Sequence, residues 1–313
     1  MKINPSRVSL LILAGFISTI GGTASAQESL VIPLVELYHS DNAFGGTSAG
    51  RIFHGGTEVD TPEELRATSD TVLSAGALWL NAIQTGLGDV PFTLSPFVRH
   101  RSFLDSGEQS TAVGAALSFR FHDTPDKRID LRATIANLNA SWTADAVQNV
   151  SLRLGYRRII ENGARLDLGL TGGWQSLVAN GSVSRIGFDT EYRDSFGEFD
   201  VAADAQFNLR SSDITGRSGH DVDLGLRLGH DIGVGQAYTK LGLDREEDRK
   251  ARSGQPVARS ETSKTVEIGY ALPLDGLSLA RLTIYARQER SDANLAVYDS
   301  TTNVAGIKMQ LGF

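Results

Sequence analysis

Val304-Ala305-Gly306-Ile307-Lys308-Met309-Gln310-Leu311-Gly312-Phe313 is the stretch on which the fold turns. Ala305, Ile307, Met309, Leu311 and Phe313 occupy every second position, with Gly306, Lys308, Gln310 and Gly312 between them. A period of two marks a strand with one apolar and one polar face; a helix would space its apolar residues by three and four. An open edge on such a strand is intolerable in lipid, where every backbone N–H and C=O must find a partner within the protein. The segment is therefore expected to pair with the first strand of the chain and to close a barrel.

Working outward from it, the same period recurs. Apolar residues alternate with charged or small ones over 113–121, 129–135, 150–156, 166–174, 186–192, 199–209 and 222–228. Shorter or noisier candidates fall at 31–38, 71–82, 92–103, 237–244, 265–272 and 279–289. With the final strand this makes about fourteen, bounded by twelve and sixteen, in a chain whose spacing suits spanning strands of about 9–11 residues. The predicted fold is all-β: a transmembrane, antiparallel, up-and-down barrel. The connections give a second test. Longer or more polar loops (43–70, 102–111, 137–149, 176–182, 211–220, 245–263, 291–302) alternate with tight turns rich in Asp, Asn, Gly and Pro (123–126, 161–163, 194–197, 233–235, 273–276). Outer-membrane barrels have short periplasmic turns and longer extracellular loops, so both termini are expected on the periplasmic side. A soluble β-sandwich also alternates; the loop rhythm and the terminal strand argue against it.

The N-terminus supplies the compartment. Lys2 and Arg7 precede an apolar run over 8–20, followed by Ala24-Ser25-Ala26. This is the three-part pattern of a secretory signal peptide, too short for a spanning helix, with cleavage expected between Ala26 and Gln27. Residues 1–26 are read as the signal peptide and 27–313 as the barrel. No later window reaches 18 consecutive apolar residues, so no transmembrane helix is expected. There is no cysteine, and the net charge of −7, without a basic block, argues against nucleic acid. The mean hydropathy of −0.14 fits a barrel whose strands turn half their side chains to a polar lumen.

Three resemblances follow from these residues. The terminal aromatic with its alternating apolar positions resembles the signal that outer-membrane barrels present to the barrel-assembly machinery. Residues 291–313, SDANLAVYDSTTNVAGIKMQLGF, resemble the end of the barrel domain of surface lipoprotein assembly modifiers. Such proteins usually carry a periplasmic helical-repeat domain ahead of the barrel; here strand one follows the cleavage site directly. Tyr38 to Phe44 also looks like the opening of porin-like families. The resemblance implies an outer-membrane protein of a Gram-negative bacterium, in contact with lipid and lipopolysaccharide, with a small solute or a lipoprotein as cargo.

The polar face carries the chemistry. Arg99, Arg120, Arg132, Arg153, Arg165, Arg185, Arg227 and Arg287 fall on it, as do Asp167, Asp189, Asp204, Asp223 and Glu267. They are expected to line the lumen, either as a charged eyelet that selects solutes or as paired charges that stiffen the wall. A barrel of this size is too wide for side chains alone to fill, and the 43–70 loop is the candidate plug or constriction. The mixed-charge run Asp244 to Lys250 reads as a solvated strand extension, with a contact to lipopolysaccharide or divalent ions as the alternative. Gly46-Thr47-Ser48-Ala49-Gly50 matches the G-x-S-x-G nucleophile motif but lies in a predicted loop, without the strand-to-helix elbow the motif needs. The six histidines show no H-x-x-x-H or H-E-x-x-H spacing. No metal, cofactor or catalytic site is expected. The sequence points to a conduit, either a porin-like channel or a barrel that exports or helps assemble surface lipoproteins; a rim enzyme and a structural or adhesive barrel are the alternatives of another class.

Overall fold

The computed structural model describes residues 26–47, 51–54, 57–60, 66–83, 92–141, 146–160, 163–177, 181–252, 255–274 and 280–310. The first strand, β1, is Ala26–Ser40, and a short hairpin follows, β2 (Arg51–His54) and β3 (Thr57–Asp60). Then come β4 (Asp70–Ile83), β5 (Phe92–Phe103), β6 (Gln109–Asp123), β7 (Lys127–Ala140), β8 (Val147–Ile159) and β9 (Arg165–Leu177). The remaining strands are β10 (Gly181–Phe196), β11 (Phe199–Ser212), β12 (Gly219–Ile232), β13 (Gly235–Asp248), β14 (Ser260–Pro273), β15 (Arg281–Ala293) and β16 (Ser300–Gln310). A 3-10 turn, Ala296–Tyr298, sits between the last two. Fourteen strands, all but the β2–β3 pair, form one closed antiparallel barrel in chain order.

The alternation explains which way each strand faces. Leu170 is 65% exposed and Ile186 67%, both on the outer surface with Leu152, Leu154, Phe188, Ile268 and Ile284. Exposed apolar side chains on this scale are the lipid-facing band of a membrane barrel rather than a surface for water. Aromatics gather where the band meets the turn end: Phe121, Phe196 and Phe199 stand exposed there, and the Tyr270 hydroxyl donates to the Ile232 carbonyl (2.7 Å). Tight turns at this end are made by glycine. Gly197 (φ 64°) and Gly233 (φ 62°) take the left-handed conformation at the first central position of two-residue connections, matching the twist of the flanking strands.

Closure occurs between β1 and β16, with Leu34 to Ser40 paired against Gln310 to Val304. The top of the seam is clasped. Asp41 accepts from the backbone N and the Nδ2 of Asn303, both at 2.6 Å, and its own backbone N donates to the Asn303 carbonyl. In the terminal strand Ala305, Ile307 and Met309 lie within β16; Leu311 and Phe313 lie outside the described residues, as do the apolar run 8–20 and Ala24. Ala26 and Gln27 begin β1.

Two connections differ from their sequence reading. The 245–263 loop begins only after Asp248, and the mixed-charge run is a strand extension as read: β13 carries it in register against β12, Asp244 to Asp248 opposite Asp223 to Gly219. The connection expected over 176–182 is only 178–180, because β9 and β10 run on together to Leu177 and Gly181. The loop end still holds the longest connections, 41–69 and 249–259, while 197–198 and 233–234 at the turn end are minimal.

Candidate functional site

Partners across an antiparallel ladder point to the same side of the sheet, so the inward face can be followed as rows around the barrel. One row runs Arg165, Arg193, Ala202, Arg227, Lys240, Glu267, Arg287, Val304, Ser40, Asp70. It gathers four of the sequence-predicted residues, from β9, β12, β14 and β15. Another runs Tyr238, Gly269, Tyr285, Gly306, Tyr38, alternating tyrosine and glycine over five strands. The glycines are required by close approach. A Cβ on Gly269 would lie 2.5 Å from the Tyr238 ring, and one on Gly306 would lie 2.9 Å from that of Tyr285. The Tyr238 and Tyr285 rings therefore occupy the space that a side chain at Gly269 or Gly306 would take.

The predicted charges fall into two unlike groups. On β8 to β10 Arg153, Arg165, Asp167 and Asp189 are neutralised within the wall. Arg153 reaches over Gly169 to Asp189 on the next strand but one, with Nη2–Oδ1 at 2.6 Å. Asp167 takes both Arg157 (2.7 Å) and Arg165 (2.6 Å), and Glu191 takes Arg165 (3.4 Å) and Arg193. Arg120 stands opposite Asp130, Arg132 opposite Arg153, and Arg185 donates to Gln175 (3.0 Å). Asp204 packs against Gly225, and Asp223 shares a smaller cavity of about 310 Å³ with Asp221, Asp244, Glu246, Arg185 and Arg210.

The second group lines a polar cavity of about 520 Å³ on the inward face, called the main cavity below, bordered by β1, β5 and β12 to β16. Its two carboxylates are fully engaged. Glu36 accepts from Arg99 (2.7 Å) and from the Tyr285 hydroxyl (2.9 Å); Glu267 accepts from Lys240 (2.7 Å) and from the Tyr238 hydroxyl (3.0 Å). Arg227 donates to Gln236 (2.7 Å) and stands 5.2 Å from the Tyr238 ring centroid. Arg101, Arg281, Arg287 and Lys308 also face this cavity, without an acid of their own. The sequence reading placed Arg99, Arg227, Glu267 and Arg287 on the polar face; it missed Glu36, Tyr38, Tyr238, Lys240, Tyr285 and Lys308 as members of the site. Glu36 sits in a run, LVIPLVELY, that is apolar at both phases, so alternation gives no sign of its direction.

The loop end carries its own network. Asp248, with a wholly buried side chain, pairs with Arg210 (3.3 Å) and Arg252 (2.9 Å), and Glu246 pairs with Arg210 and Arg259. Tyr298 accepts from Arg252 (2.9 Å) and Gln255 (2.8 Å), while the Arg259 guanidinium stands 4.8 Å from its ring centroid. Thr47 Oγ1 lies 2.9 and 2.7 Å from the carbonyls of Ala296 and Asp299. The described part of the 41–69 connection, with β2, thus lies beside the 294–299 turn, and none of its described residues lines the main cavity. Gly46 is held on both sides by the Asn42 amide in this loop; Ser48 lies outside the described residues. At the same end Asp213 accepts from the Ser182 backbone N (2.6 Å), which holds its carboxyl below the usual range. No cluster of metal-binding side chains occurs among the described residues.

No protein-family model matches the chain, and no curated protein matches it. Solved structures do. A bacterial polysaccharide outer membrane secretin superposes over 90% of this chain and 98% of its own with a TM-score of 0.51 at 9% identity. A loop-L8 deletion mutant of OmpT, an outer membrane protein of Vibrio cholerae, covers 93% of this chain and 100% of its own with a TM-score of 0.47 at 10% identity. An anion-selective porin from Comamonas acidovorans gives the same coverage, TM-score and identity. At such identities the likeness is one of fold. The closed barrel, polar within and apolar without, is that of an outer-membrane β-barrel.

Proposed function

We propose that the chain is a conduit for hydrophilic solutes across the outer membrane of a Gram-negative bacterium, exported there by the signal peptide at residues 1–26, and that it is not an enzyme. The observation that carries this reading is the inward face, a continuous polar and charged surface around a cavity of about 520 Å³. Side chains alone do not fill a barrel of this width, and a water-filled lumen is the consequence. The longer connections then face outward from the cell. The lipid-facing band and the terminal strand are the surfaces for lipid and for the barrel-assembly machinery.

One arrangement bears on the enzymatic alternative. His100 meets Ser102 Oγ (3.2 Å) and Thr111 Oγ1 (2.9 Å) near the loop end of β5. Its second ring nitrogen meets a hydroxyl rather than the carboxylate that orients a catalytic histidine, and β5 is laddered to both β4 and β6, which commits the nearby backbone amides. This supports a structural role for the pair. The test is conductance. Purified, refolded protein added to a planar lipid bilayer is expected to give stable, discrete current steps in potassium chloride; a bilayer that stays silent at every protein concentration would overturn the conduit.

A further inference from the structure

We infer that the wall formed by β15, β16 and β5 is a binding track for anionic solutes, one that takes carboxylate or phosphate groups at several points in succession. The inference rests on the conduit reading and names the class of solute it serves.

The charges in the cavity do not balance. Glu36 and Glu267 are each consumed by one cation and one tyrosine hydroxyl. Arg101, Arg281, Arg287 and Lys308 have no hydrogen-bond or ion-pair partner among the described residues, and the Nε atoms of Arg101 and Arg287 are buried without one. Leaving buried guanidinium donors unsatisfied is costly, and a guanidinium fork fits a carboxylate or phosphate edge with two parallel hydrogen bonds. The contrast with β8 to β10 is internal to the molecule. There Arg153, Arg157, Arg165 and Arg193 each have a carboxylate, so the free cations on the other wall are a local feature.

The spacing gives the shape of the ligand. Arg281 and Arg287 lie six residues apart on β15, about 20 Å along the strand, and Lys308 stands opposite Thr283 between them. Arg101 shares the row of Lys308 through Ser74 and Glu36. No single small anion touches all four. An extended chain of acidic groups does so at once, and a small anion does so in sequence.

The test uses the refolded full-length barrel in a planar bilayer under a potassium chloride gradient. The reversal potential is expected to report chloride preferred over potassium by roughly tenfold, the low end of what focused fields do to local ion concentration. Hexaglutamate on the loop side is expected to interrupt the current at concentrations that leave it untouched by hexalysine or a neutral maltohexaose. The variant R101Q/R281Q/R287Q/K308Q is expected to bring the ion preference to within about twofold of unity and to weaken hexaglutamate block at least tenfold. Arg290→Gln, on the outer face, is expected to change neither. If the quadruple variant gives no channels, K308Q and R287Q singly are each expected to shift the preference part of the way. Absence of any conductance would overturn the conduit itself. Conductance with cation preference, equal block by hexaglutamate and maltohexaose, or variants indistinguishable from the parent would overturn the anion track while leaving the conduit standing.

Discussion

Tyr238, Tyr285 and Tyr38 illustrate how a side chain acquires its role from a residue far away in sequence. The ring of Tyr238 lies against Gly269 and that of Tyr285 against Gly306, Tyr38 meets Gly306 through its Cβ, and the first two place their hydroxyls on the acids of the main cavity. A methyl group at Gly269 would collide with the Tyr238 ring, displace it and remove its hydrogen bond to Glu267. Gly269→Ala is expected to destabilise the barrel by about 1–3 kcal/mol through overpacking and the lost bond, seen as a lower urea midpoint in lipid. Gly172→Ala, where a Cβ meets nothing within 4 Å, is expected to stay within about 0.5 kcal/mol of the parent. Nothing in the sequence pairs these tyrosines with their glycines. The pairing depends on strand register, and a slip of one residue would turn every ring to the lipid.

Strands were sharply legible where one face is apolar and the other charged, as in β8 to β12, and only loosely bounded where both faces are alike. The loop-end half of β13 reads Asp244-Arg245-Glu246-Glu247-Asp248, polar on both sides because it stands beyond the apolar band; the period-two signal vanishes though the ladder continues. The loop-end network belongs to this scale as well. Removing Asp248 takes from Arg252 its carboxylate and from Arg210 one of several, a loss of up to about 3–5 kcal/mol when a buried pair is broken on one side. Asp248→Ala and Tyr298→Ala are therefore expected to free the 249–259 and 294–299 connections, measured as faster trypsin cleavage within 249–259 while the barrel itself stays intact. On the outer face, Leu170→Arg is expected to cost about 2–4 kcal/mol, the penalty of an arginine at mid-membrane depth; an unchanged stability in lipid would place Leu170 away from the bilayer core.

For the molecule as a whole, net charge is a poor guide to the lumen. The chain carries −7, yet the main cavity holds Arg101, Arg281, Arg287 and Lys308 uncompensated. The sequence supplied the residue types and their common face. Which cation meets which acid follows from register and from glycine gaps such as Gly155 and Gly169, which let Arg153 lie across a strand, and neither is encoded within one strand. If the cationic wall governs permeation, ion preference is expected to decline steeply between 0.1 and 1 M salt, as the screening length falls from about 10 to about 3 Å. A preference independent of salt would point to lumen width instead.

The clasp between Asp41 and Asn303 joins residues 262 apart in the chain, whereas the other junctions of the barrel link strands that follow one another. Hairpins form in microseconds because little chain entropy opposes them; a junction between the two ends of a sheet must wait for everything between. The order of assembly is thereby constrained. A curved, open sheet can grow one hairpin at a time, and the step that seals it comes last and slowest. Asp41→Ala should consequently leave the early rise in strand content during refolding unchanged and lengthen only the final phase, the one in which the product first resists dissociation by detergent.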